Sequence, residues 1–213
     1  MLFGLSTTDL LLFIPAILLG FTLHEYAHAR LAVALGDPTP RERGRLTLNP
    51  LRHIDLVGLI LILTVGFGWA RPVQFDPSRF KHPRRGRAAV AVIGPAANLV
   101  LAVALVLVLR VVVSAGGAEA AQGVAGRGLV LGIYLNLILL VLNLLPLPPL
   151  DGSHLVLVLI PDSRPRLAQL YTRYGAIVLL VLILGGTVFG RNILPIGNAA
   201  TSLLELLFRF AGL

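Results

Sequence analysis

An all-α polytopic membrane protein is the fold the sequence predicts, with about four to six transmembrane helices, a re-entrant or interfacial segment and short β-strands on the cytoplasmic side. Three observations carry that expectation. The 213-residue chain is 56% hydrophobic and 13% charged, with a mean hydropathy of +0.87, whereas soluble domains carry about 25% charged residues. Four apolar segments, 9–35, 88–113, 129–146 and 171–189, reach or approach the roughly 20 helical residues a bilayer core demands. Ten of the 18 basic residues fall in two short loops, 37–53 and 71–87, the cytoplasmic bias expected beside membrane spans. That clustering explains the +8 formal charge and argues against nucleic acid as a partner; the lipid bilayer is the expected one.

The first apolar segment has no basic residues before it and holds His24-Glu25-Tyr26-Ala27-His28, so it reads as a span and not as a cleaved leader. Ionisable side chains at bilayer depth are costly and mark function. His24 and His28 lie one helical turn apart on one face. Two imidazoles so placed can share a Zn²⁺, with Glu25 beside them as a general base. The chain has no cysteine, which leaves His, Asp and Glu as metal ligands.

Segment 54–70 is too short for an untilted span and is basic on both sides, through Arg41, Arg43, Arg45 and Arg52 before it and Arg71, Arg79, Lys81, Arg84, Arg85 and Arg87 after it. A single crossing would translocate one of those loops, against the charge rule, so a re-entrant excursion fits, with Gly58, Gly66 and Gly68 allowing an irregular path. Short strands are expected at 45–48 and 73–75, where an extended substrate could add by edge pairing. The first helix then runs inward. Segment 88–113 runs outward with Gly94 and Pro95 opening its helix, loop 114–127 faces outside, and 129–146 returns. Segment 193–213, broken by Pro195 and Gly197, is a final span or an interfacial helix.

A catalytic zinc takes three protein ligands and one open position. Asp151 is the candidate third ligand, because Pro146, Pro148 and Pro149 break the returning helix and Gly152 permits a sharp turn. Alone, Asp151 reads as a helix N-cap; beside an intramembrane His-Glu-x-x-His, the ligand reading prevails. Asn98 either contacts substrate backbone or a developing oxyanion, or makes an interhelical hydrogen bond. Asn136 and Asn143 share a helix face, where ligand-orienting or structural roles outweigh substrate contact. His53 and His154 are expected outside the metal's ligand set, His82 at the surface, and Arg30 reaching for the headgroups.

With His24-Glu25-Tyr26-Ala27-His28, Gly94-Pro95-Ala96-Ala97-Asn98 and Asn143-x-x-Pro146-x-Pro148-x-Leu150-Asp151-Gly152 in that order, the chain resembles the site-2 protease family of intramembrane zinc metalloproteases. Asn49-Pro50-Leu51-x-His53-Ile54-Asp55 is similar to a compact bacterial subgroup; Leu56-Val57-Gly58 departs from that subgroup's Pro-x-Gly. The resemblance implies a single membrane-embedded metalloprotease domain over residues 1–213, without PDZ or CBS modules. It implies one zinc per chain held by His24, His28 and Asp151, with Glu25 as acid and base. It also implies hydrolysis of peptide bonds in or near transmembrane segments of membrane-protein substrates, in the cell membrane; the inward run of the first helix puts His24 and His28 nearer the cytoplasmic side. A metal transporter would line several spans with His and acidic residues, and 88–113 has none. A non-catalytic relative that only binds membrane segments would tolerate loss of one of these four residues, and all four are present.

Overall fold

The computed structural model describes residues 6–65, 68–189 and 194–213. The elements are α1 (Thr7–Ala34), α2 (Thr39–Glu42), α3 (Leu56–Val65), α4 (Pro83–Gly116), α5 (Val124–Asn143), α6 (Gly152–Leu159), α7 (Pro165–Phe189) and α8 (Ile196–Ala211), with 3₁₀ turns between some of them. Four helices, Thr7–Ala34, Pro83–Gly116, Val124–Asn143 and Pro165–Ile183, have the length and apolar composition to cross a membrane. The chain is a multi-pass membrane protein. Val100, Leu107 and Val111 on α4 and Ile177, Leu180 and Val181 on α7 point outward, which is stable where the surroundings are hydrocarbon.

Helices α1, α4 and α5 form the central packing unit. Ser6 caps α1 by accepting from the Asp9 amide, and Asp9 pairs with Arg127 near the start of α5 at 3.4 Å. Gly20 of α1 lies against Asn136 of α5, so α1 and α5 run in the same direction, with α4 antiparallel between their ends. Ile17 packs with Leu135, Leu139 and Ile62 of α3. On the other side, Ala102, Val106 and Leu109 of α4 and Ile133, Leu137 and Leu140 of α5 enclose Ala200 and Ala211 of α8. That 16-residue helix is amphipathic, with Glu205 and Arg209 away from the packed stripe.

Between α1 and α4 the chain makes an excursion that returns to its starting point. Ile54 and Ala70 form an antiparallel bridge, and the Arg71 amide donates to the His53 carbonyl at 2.8 Å. The intervening α3 has ten residues, about 15 Å of helix, half a bilayer core of roughly 30 Å. A Cβ on Gly58 would sit 2.0 Å from the Trp69 carbonyl oxygen, and one on Gly68 at 2.0 Å from that of Gly58. Glycine is therefore required on both limbs. Gly66, expected to assist this path, lies outside the described residues.

Two expectations need correction. Residues 45–48 and 73–75 form no strand, and the Ile54–Ala70 bridge is the one β-pairing among the described residues. The reason is where their amides go: the Arg45 N–H donates to Pro40 O, and the Val73 N–H to a side chain of α1. Gly94 and Pro95 do not open α4, which starts at Pro83 and carries Pro95 inside it. Proline suits a first helical turn, and Pro83 takes that role eleven residues before Gly94.

Candidate metal centre

The i, i+4 spacing in α1 aims His24 and His28 at one point, and both are buried at 5% exposure. Their Nε2 atoms are 3.0 Å apart, with the rings edge to face at 74°. Asp151 arrives from the opposite side. Helix α5 ends at Asn143, and the proline-rich turn that follows folds back so tightly that a Cβ on Gly152 would lie 2.4 Å from Leu144 O and 2.5 Å from Leu145 O. Although Asp151 stands at the N-cap position of α6, its side chain caps nothing. Its Oδ2 instead lies 3.0 Å from His24 Nε2 and 3.1 Å from His28 Nε2. Helix α7 braces this turn, through the Tyr171 hydroxyl donating to Pro146 O at 2.8 Å and Gly175 seated on Pro148.

Three candidate ligand atoms thus converge within hydrogen-bonding distance of one another. A hydrogen-bond network places a proton on His24 Nδ1, so the neutral imidazole would present Nε2 to an ion. Asn136 donates to Gly132 O at 2.8 Å, so its carbonyl oxygen accepts from Asn98 Nδ2 at 2.7 Å. Asn98 Nδ2 also donates to Gly20 O at 3.3 Å, leaving Asn98 Oδ1 to accept from His24 Nδ1 at 2.7 Å. With its proton on Nδ1, His24 offers an unprotonated Nε2 to the centre. Tetrahedral sites with bonds of about 2.0–2.2 Å separate donors by roughly 3.3–3.5 Å, so the triangle here opens by a few tenths of an ångström around an ion. Gly94 supplies the space, since a Cβ there would fall 2.3 Å from His28 Nε2 and 2.7 Å from His24 Nε2. A set of two imidazole nitrogens and a carboxylate suits a catalytic zinc.

Glu25 is buried one residue from His24, and its Oε2 accepts from the Val73 amide at 2.7 Å. The chain following the excursion is anchored a second time at Asp37, whose Oδ2 accepts from the Asp76 amide at 2.6 Å and whose Oδ1 accepts from the Thr39 amide and hydroxyl. Burial opposes the Asp37 charge, yet these bonds outweigh it and hold the carboxyl below its ordinary range.

The remaining expected residues are placed as follows. Asn98 and Asn136 are fully buried and their amides are spent on each other, on backbone and on His24. Asn143 is half-buried and donates to Leu139 O at 3.0 Å, leaving its oxygen free of intramolecular bonds among the described residues. His53 is outside the metal cluster, fully buried, 2.7 Å from the Thr47 carbonyl. Burial pushes its imidazole below the usual range, and Arg45 adds to that. His154 lies against the Phe75 ring at 5.6 Å, and His82 is exposed. Sequence reasoning missed the Val73 amide, the Asp37 anchor and the role of Gly94. A backbone N–H carries no residue signature, and only the intact Gly94-Pro95 motif hinted at its position.

Asn98→Leu is expected to weaken zinc binding by roughly 10- to 100-fold, because His24 loses the acceptor that orients its ring. Competition with a chromophoric chelator measures this; unchanged affinity would show that the network does not tune the site.

The model of peptidase family M50 matches residues 110–185, a stretch that holds Asp151 but not the His24–His28 helix. A Bacillus subtilis (strain 168) protein named "Putative zinc metalloprotease YwhC" is 42% identical over 197 residues, covering 90% of this chain and 88% of that protein. A Mycolicibacterium smegmatis protein named "Putative zinc metalloprotease Rip2" is 35% identical over 180 residues, 82% of this chain and 67% of its own length. Rip2 of Mycobacterium tuberculosis H37Rv is 33% identical over 179 residues, covering 81% and 66%. No solved structure matches.

Proposed function

Because this chain belongs to peptidase family M50, the site-2 proteases, and is a zinc metalloprotease of the membrane, we propose that it is an intramembrane endopeptidase. Its substrates are membrane proteins cut in or near their transmembrane segments. The observation that carries this reading is the meeting of His24 Nε2, His28 Nε2 and Asp151 Oδ2 within 3.1 Å of one another, with both histidines on a helix long enough to cross a bilayer.

In this reading His24, His28 and Asp151 hold one zinc per chain. When bound, the ion supplies Lewis acidity, lowering the pKa of water towards about 7 and polarising a carbonyl oxygen. Glu25 takes the proton of the attacking water and returns it to the leaving amine. The Val73 amide holds one Glu25 oxygen and so limits the carboxylate's rotation. Asn98 and Asn136 act by orienting His24, while the free oxygen of Asn143 is the contact offered to extended substrate backbone. A substrate helix hides its amides in internal bonds, so it unwinds before attack, and its freed groups need partners inside the membrane. In this reading the basic loops are cytoplasmic, and the site lies towards that face.

The test is cleavage of a single-span substrate by the purified protein in lipid nanodiscs. Removal of metal by a chelator should abolish cleavage, and zinc should restore it where magnesium does not, since magnesium prefers an octahedral oxygen shell. Undiminished cleavage by metal-free protein would refute the reading.

A further inference from the structure

Arg45 is a charged side chain buried to 7% exposure, with no carboxylate in ion-pair distance among the described residues. Such a charge is costly unless its donors are well used. Its two terminal nitrogens donate to two backbone carbonyls, Arg52 O and Arg71 O, one on each limb of the excursion. They stand beside the Ile54–Ala70 bridge and the bond from Arg71 N to His53 O. Two residues beyond Arg71, the Val73 amide donates to Glu25 Oε2 at 2.7 Å. Glu25 is also the carboxylate whose field acts on Arg45. One guanidinium therefore holds the base of the loop that presents the amide to the proposed general base.

We propose that Arg45 is a positioning residue for peptide hydrolysis: it locks the two limbs together and so fixes the Val73 amide that aims Glu25. This deepens the protease reading and rests on it. A planar fork bonds two separate carbonyls at once, and a lysine ammonium lacks that fixed geometry. The loss expected on breaking the lock is that of a misaimed catalytic group, which reaches about 100-fold for roughly 1 Å of displacement.

The experiment compares Arg45→Lys, Arg45→Ala, Val73→Pro and the Arg45→Ala/Val73→Pro double variant in nanodiscs, alongside Glu25→Gln. Zinc content, kcat and KM are measured for each. Arg45→Lys and Arg45→Ala are expected to keep zinc and a KM within about two-fold, with kcat lower by roughly 10- to 100-fold. Guanidinium ion should restore part of the kcat of Arg45→Ala, and methylammonium should not. Val73→Pro, which removes the amide hydrogen, should lose a similar factor, and the double variant should be no worse than the poorer single one. Native kcat in Arg45→Ala, or losses that multiply in the double variant, would overturn the proposal. Should Arg45→Ala fail to accumulate, Val73→Pro and Arg45→Lys decide it, and native kcat in either overturns it. Full activity in Glu25→Gln would remove the general base that Arg45 is argued to aim, whereas absence of metal-dependent cleavage by the native protein would bring down the protease reading itself, so the failures are distinguishable.

Discussion

Glu25→Gln is expected to bind zinc as the native protein does and to lose cleavage by roughly 10²- to 10⁴-fold. The substitution keeps the side chain's length and leaves an oxygen to accept from the Val73 amide, which lies 2.7 Å from Oε2. His24, His28 and Asp151 keep their contacts, because Glu25 is not in the converging triad. What disappears is the capacity to take a proton, since an amide is not a base at neutral pH. The measurement pairs metal analysis with turnover of a single-span substrate. Near-native turnover with full zinc occupancy would remove Glu25 from the mechanism, and loss of zinc would show that it belongs to the ligand shell.

Gly94→Ala is expected to lower zinc content far below one per chain and to reduce cleavage to background. The added methyl carbon would lie 2.3 Å from His28 Nε2 and 2.7 Å from both His24 Nε2 and Cε1, where van der Waals contact needs about 3.5 Å. It occupies the face from which the imidazoles would meet an ion, or it drives them apart. Two effects here have opposite signs. Alanine in a helix interior gains about 1 kcal/mol over glycine, so a protein that merely tolerated the substitution would melt higher and keep its metal. Displacing two buried imidazoles costs more than that gain, and the metal is lost. Zinc titration together with the melting temperature separates the two; native affinity in Gly94→Ala would mean that α4 is not the wall of the centre.

The parts legible in the residues were those whose spacing is local. The i, i+4 histidines needed only the helical repeat, and the four long helices needed only apolar length. The excursion at 54–70 was legible because charge on both sides made a crossing expensive, and the Ile54–Ala70 bridge brings the two ends together. Asp151 is intermediate: its ordinary reading was a cap, and only the histidine 123 residues earlier, which it meets in the fold, makes it a candidate ligand. Arg45 was counted among ten loop cations, yet it alone of those on the first loop is buried. Nothing in its own neighbourhood distinguishes it from Arg41 or Arg43.

Residue identity and order thus established a membrane-embedded protein with an imidazole pair, a neighbouring glutamate and a distant aspartate. Chain packing settled what each group touches: Asp151 Oδ2 at 3.0 Å from His24, Gly94 as the hollow beside the rings, and the Asn98–Asn136 relay behind His24. The division has a physical cause. Helical periodicity and the cost of burying charge act over a few residues and leave a pattern in the chain. Hydrogen bonds to backbone amides and room for an ion arise between segments far apart, and only their approach in space creates them.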